Sequence, residues 1–209
     1  HIEFFEVDGS APFAQNAGIK IHGNTSRGFP IKGLDIISDW ANEGPIEYQL
    51  FPDRTQTKWE RFLLRQSGHD HFFTYFRDAL MHDLAEDFGA ETMASRPCVL
   101  FINGEYWGIH NIREREDKYF LEAHGGVDRD EVDFLEGYAA AREGDTVHYN
   151  DMIQFLSTQD IRDPDNYAHL QTLMEVDNYI DYRAAEIWTY RWDIGNHRFW
   201  RPRTPEGRW

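Results

Sequence analysis

With 209 residues, 41% of them hydrophobic and 15 Phe, 10 Tyr and 7 Trp among them, the chain can bury a core of one domain or two small lobes, which excludes a disordered or fibrous protein. Its 21 basic residues stand against 37 acidic ones, and the net charge of −16 repels nucleic-acid backbones and anionic membranes while favouring cationic or metal-loaded partners. The single cysteine, Cys98, excludes an internal disulfide, and no run approaches the roughly eighteen consecutive apolar residues of a membrane span.

In chain order, residues 17–23 and 31–37 both alternate apolar with polar or small residues at period two, with Gly, Asn, Thr, Ser and Pro between them, and predict paired strands. Residues 61–65 predict another short strand. From 70 to 88 the period changes: Phe72, Phe76, Leu80, Leu84 and Phe88 recur every fourth residue, Phe73 widens the stripe and Gly89 ends it, so a helix is expected over 70–88. Arg77 and Asp78 on that helix are expected to form an internal ion pair that orients helix against sheet. Residues 98–112 predict a hairpin, because Asn103-Gly104 readily takes the positive-φ conformations of a tight turn. Cys98, inside that apolar run, reads as a buried inert thiol.

Beyond the hairpin, residues 113–121 predict a short charged helix, Gly125-Gly126 a break and residues 132–135 a strand. Residues 149–156 and 167–174 are amphipathic, and Asp177 is placed to cap a longer helix carrying Tyr179, Ile180, Ala184, Ile187 and Trp188. That helix delivers the chain to Trp192-Asp193-Ile194-Gly195-Asn196, after which residues 198–201, a turn at 204–207 and a strand from Arg208 are expected. An Asp followed by an Asn in one loop, here three residues apart between a helix and a short aromatic strand, is the pairing by which kinase-like enzymes place a catalytic carboxylate beside a metal-binding amide.

Other chemistries lack their signatures. His69-Asp70-His71 has no partner cluster at zinc-ligand spacing, no His-Glu-x-x-His occurs, and both Gly-x-Ser-x-Gly and the phosphate-loop Gly-x-x-x-x-Gly-Lys are absent. The tryptophans and tyrosines could line a carbohydrate platform or fill core and interface; a mixed helical protein favours the second.

Three stretches taken together, Gly23-Asn24-Thr25-Ser26-Arg27 with Pro30-Ile31-Lys32, Ile102-Asn103-Gly104-Glu105-Tyr106-Trp107-Gly108 running to Glu114 and Asp117, and Asp193 with Asn196, resemble the successive signatures of the CotH family, the spore-coat protein H kinases and their secreted relatives. The resemblance spans nearly the whole chain. It implies an α+β, atypical protein-kinase-like fold, with a strand-rich nucleotide-binding lobe over 1–112 that includes the helix 70–88, and a helical lobe over 113–209 with its catalytic loop near 193–196. It further implies phosphate transfer from ATP, with Mg²⁺ or Mn²⁺, to Ser or Thr of a coat or secreted protein, at a spore coat or a cell surface. By resemblance Asp193 is the catalytic aspartate, Asn196 the metal-side asparagine, and Lys32, Arg27 and Glu114 contact the nucleotide.

Two departures accompany the resemblance. The family pattern continues to a further strand with a metal-binding Asp beyond Trp209, so the chain, which also opens on His1, is expected to be a trimmed fragment whose own activity stays open. Glu136 stands where many relatives have a lysine. Each site residue also has a plain alternative: a solvated strand lysine for Lys32, a loop ion pair for Arg27, a turn anchor for Asp193, and for Glu114 a solvated helix face pairing with Lys118. The rival of another class is a non-catalytic adhesion or scaffold module of the same fold. The acidic balance points to a Lys/Arg-rich protein substrate, with no nucleic-acid partner.

Overall fold

The computed structural model of the chain describes residues 1–191 and 195–209. Among the described residues it is a mixed α/β structure with five α-helices and several antiparallel sheets. These divide between two compact units, His1–Glu86 with Glu91–Glu116, and Asp87–Ala90 with Asp117–Trp209.

The first unit opens with a small hairpin of β1 (Ile2–Phe4) and β2 (Phe13–Gln15), where Phe4 stacks on Phe13 at 5.3 Å. There follow β3 (Gly18–His22), β4 (Gly33–Ile37), β5 (Ile46–Glu47), β6 (Lys58–Trp59), β7 (Arg61–Arg65), α1 (Arg77–Glu86), β8 (Ser95–Ile102) and β9 (Glu105–Arg113). Five of these strands form one antiparallel sheet in the order β3-β4-β7-β9-β8. Pairing of Leu34 with Leu64 and of Leu64 with Ile112 sets the register, and strand alternation then gives the sheet two unlike faces. Leu34, Ile36, Phe62, Leu64 and Ile112 share one face and pack with Ile46, Leu50, Phe51 and Trp59 into the unit's core. Each of these large side chains contributes about 1.5–3 kcal/mol by leaving water. The other face carries Asp35, Leu63, Arg65 and Arg113. Glu6, just past β1, accepts bonds from the Tyr48 hydroxyl and the Arg96 guanidinium on β8, which ties the first residues to the far edge of the sheet.

The β8–β9 hairpin forms as the sequence predicts, with Asn103 at φ 52° and Gly104 at φ 81° in its turn. Burial pushes the Cys98 thiol on β8 up to about 11, which keeps it protonated and unreactive near neutrality.

The second unit contains α2 (Lys118–Gly125), β10 (Val132–Glu136), β11 (Ala140–Glu143), α3 (Val147–Thr158), α4 (Pro164–Leu173), α5 (Val176–Trp188) and β12 (Arg198–Pro202). Its strands make an antiparallel sheet in the order β11-β10-β12, so this half is not only helical. Asp133 on β10 is buried beneath it, 3.0 Å from Arg201 Nε and 3.2 Å from Arg203 Nε, and it accepts the Asp145 N–H at 3.0 Å. Arg201 donates in addition to the Gly207 carbonyl at 3.0 Å.

Four local expectations need correction. The helix expected over 70–88 is a short 3-10 turn, Gly68–Phe72, followed by α1 from Arg77. Tyr75 has left-handed φ of 66°, and the Asp70 carboxylate accepts from the Thr74 hydroxyl at 2.6 Å and the Arg77 N–H at 2.9 Å, so Asp70 ends one turn and starts the helix. The stripe Phe72, Phe73, Phe76, Leu80, Leu84 and Phe88 is exposed rather than core. At 113 the chain is still in β9, and α2 starts only where Asp117 caps the N–H groups of Tyr119 and Phe120. No strand begins at Arg208 among the described residues; instead the Trp209 backbone bonds to Leu173 and Glu175, at 3.0 and 2.6 Å. The longer helix has Glu175 at its N-cap position, without a side-chain capping bond, and Asp177 lies in its first turn rather than at the cap.

Candidate functional site

The segment holding Arg27 and Lys32 is a tight loop between β3 and β4. Gly23 has φ of 110°, and a Cβ there would lie 2.1 Å from the Ser26 hydroxyl, so the turn into the 3-10 segment Thr25–Gly28 requires glycine. Phe29 then packs on His69, His71 and Phe72, at ring distances of 5.1, 4.9 and 5.7 Å. Inside this loop the half-buried Lys32 ammonium donates to the carbonyls of Arg27 and Phe29 at 2.7 and 2.5 Å, while exposed Arg27 donates to the Ile21 carbonyl at 3.1 Å. Buried His110 on β9 meets the Lys32 carbonyl at 3.0 Å. The structure thus brings Arg27 and Lys32 together, with both cations turned onto backbone oxygens.

Glu114 lies elsewhere in the same unit, just after β9. It is buried, accepts the Ala94 N–H at 2.7 Å and lies 3.7 Å from Arg54 Nε. Lys118 donates to Asp130 at 2.5 Å.

A third group of charges was not assigned a site from the sequence. Asp78 on α1 lies with Oδ2 2.9 Å from Arg65 Nε on β7 and 2.9 Å from Arg113 Nη1 on β9. Burial pushes the Asp78 carboxyl up, yet the two guanidinium charges outweigh it and hold it below the usual aspartate range. Arg77, expected to pair with Asp78, instead sits 3.5 Å from Asp70. Neighbouring His82 accepts the Met93 N–H on Nδ1 at 3.0 Å, and burial, reinforced by the Arg113 charge, pushes its imidazole below the usual histidine range.

In the second unit, Asn196 lies on the loop leading into β12. Buried Glu186 on α5 accepts from the Tyr182 hydroxyl at 2.6 Å and from Arg191 at 2.9 Å, and Arg191 also donates to the Asn196 carbonyl. Burial together with the Glu186 bond pushes Tyr182 up to about 12. The His197 carbonyl accepts the Gly137 N–H at 2.9 Å, so the segment entering β12 is held through Arg191 to α5 and directly to the β10–β11 turn. Asp193 lies outside the described residues. The Asn196 side chain is exposed and offers an amide oxygen of the kind hard cations take. Among the described residues no group of three or more His, Cys, Asp or Glu forms a metal cage, and no helix is long and apolar enough to cross a membrane.

Over residues 19–209 the chain matches the family model described as CotH kinase protein. No curated protein matches it.

Proposed function

The chain belongs to the CotH kinase family, and on that premise we propose that it is the core of a protein kinase moving phosphate from ATP to a Ser or Thr hydroxyl of a coat or secreted protein. Phosphoryl transfer needs a cation on the phosphates, oxygen ligands for a divalent metal and a carboxylate that orients the attacking hydroxyl. The observation that carries the reading is the family match, which spans the loop of Arg27 and Lys32 and the segment of Asp193 and Asn196 within one model. In this reading the strand-rich unit holds the nucleotide's phosphates, with its Gly23 loop built around Lys32. Asp193 accepts the hydroxyl proton, and Asn196, whose loop is anchored through Arg191 and Glu186, offers its amide oxygen to Mg²⁺ or Mn²⁺. The metal, when bound, neutralises charge on the transferring phosphate. Glu114 acts by holding Ala94 and Arg54 rather than by touching nucleotide. The net charge of −16 favours a Lys/Arg-rich substrate.

A thermal melt with ATP and Mg²⁺ or Mn²⁺ tests the reading first. Ligand at a hundred times its dissociation constant adds about 2.7 kcal/mol if it binds only the folded state. Asp193→Asn is expected to keep that shift and lose phosphate transfer to basic peptides. Absence of any nucleotide-dependent shift would remove the kinase reading, and a preference for acidic peptides would remove its substrate clause.

One observation favours the non-catalytic reading. Val99, Phe101, Tyr106 and Ile109 are all exposed on the β8–β9 hairpin, and cross-strand pairing puts Val99 beside Ile109 and Phe101 beside Tyr106. A surface of that composition suits protein contact, and the melt separates the two readings.

A further inference from the structure

Arg65 and Arg113 share a single carboxylate, and they share it unequally. Arg113 is fully buried, and its Nε and Nη2 find no hydrogen-bond partner among the described residues. Asp78 answers only its Nη1, while Glu116 and Asp83 contribute negative potential as well. An unmatched buried guanidinium is costly to keep, so it calls for a reason. Arg65 is different: its side chain is 30% exposed, Nη2 donates to Asp78 at 3.4 Å, Nε lies 2.9 Å from the same carboxylate as an ion pair without the alignment of a hydrogen bond, and Nη1 meets no protein partner among the described residues. A Cβ at Gly68 would lie 3.7 Å from Arg65 Nη2, an ordinary contact distance, and it is the left-handed φ of 57° that favours glycine there. Arg65 ends the third strand, in chain order, of the five-stranded sheet, and Asp78 lies on the helix that follows. Protein kinases require a cation on the third strand to be held by a carboxylate on the next helix before phosphates are bound productively.

We propose that Arg65 is the phosphate-holding cation of this chain, oriented by Asp78 and supported by the buried charge of Arg113, in the role that the family resemblance implies for Lys32. The inference rests on the kinase reading and specifies its nucleotide contact. Two of the three Lys32 donors are spent on the Arg27 and Phe29 carbonyls, so that ammonium closes its own loop. A guanidinium presents a planar fork that fits phosphate oxygens, and here one edge is fixed by Asp78 while the remaining end is open. Arg65 is the binding group; Asp78 and Arg113 are positioning residues.

The test is equilibrium titration of the chain with ATP plus Mg²⁺ and, separately, with adenosine. Arg65→Met is expected to weaken ATP by about tenfold or more, the loss of one charge-assisted contact, and to leave adenosine within about twofold. Arg65→Lys should recover most of the affinity for ATP, Asp78→Asn should lie between, and Lys32→Met should keep ATP within about threefold. If Lys32→Met loses ATP selectively and Arg65→Met does not, this inference falls and the kinase reading stands. Equal loss of ATP and adenosine in both Arg65 variants would make Arg65 structural and overturn it too. Wild-type chain that binds neither ligand overturns the inference and the kinase reading together.

Discussion

Each unit holds a carboxylate between two arginines, buried at Asp133 and partly exposed at Asp78, and the two clusters differ in how completely they are matched. Asp133 in the second unit uses both oxygens, on Arg201, Arg203 and the Asp145 N–H, and Arg201 reaches on to the Gly207 carbonyl. Asp78 in the first unit meets Arg65 and Arg113, but Arg113 keeps two nitrogens unmatched and Arg65 stays partly open to solvent. The same ingredients therefore make a closed staple in one place and an open cationic site in the other. Matching, rather than the presence of buried charge, separates a structural cluster from one available to a ligand.

The comparison can be broken most directly at Asp133. Asp133→Ala leaves Arg201 buried without its partner and should cost about 3–5 kcal/mol in urea unfolding, with no selective effect on ATP. A cost under about 1 kcal/mol would mean that the cluster is not a staple. Next, Arg201→Met should cost about 2 kcal/mol more than Arg113→Met, because the first leaves the Gly207 carbonyl without its donor and Asp133 without one of its two arginines, while the second removes a guanidinium already short of partners. Equal costs would erase the difference between the clusters.

Lys32→Met should cost about 1 kcal/mol through its two lost carbonyl bonds, read from the same unfolding curves. The smallest expected effect is in pH. The folded-state pKa of His82 lies below its ordinary value of 6.5, so the unfolded chain takes up the proton first. Its contribution is whole above pH 6.5 and is lost as pH falls from there toward the lowered folded value. His82→Gln, which keeps an acceptor for the Met93 N–H, should flatten the urea midpoint between pH 7 and 5.5, whereas an unchanged slope would place the acid sensitivity elsewhere. Asp78, also held below its ordinary 3.8, acts only in stronger acid, with its stability lost as pH falls through that lower value.

What the sequence made legible follows the range of the interactions involved. The hairpin was plain in Asn103-Gly104 because a turn is decided by its own two residues. The start of α1 was not, because the Asp70 side chain and the left-handed Tyr75 interrupt an apolar period that otherwise reads as one helix. Asp78 was paired with Arg77, its neighbour in the chain, although successive residues on a helix do not face each other. Its actual partners come from strands 13 and 35 residues away, and only the sheet register brings them to one side. Arg113, in a run rich in charge, read as an exposed helix and instead closes β9. Lys32 was found by motif order; that its ammonium is turned onto two carbonyls is invisible without coordinates.

The bonds from Glu6 to Arg96 and Tyr48 set an order of events. A ribosome must extend the chain by 90 residues past Glu6 before its Arg96 partner exists, so the small β1–β2 hairpin cannot take its final place early in synthesis. Closing so long a loop is slow compared with forming the β8–β9 hairpin, whose strands are joined by a two-residue turn. The last strands made in the first unit are thus expected to form locally and then recruit the first ones, and the beginning of the chain is the part of the unit that docks late.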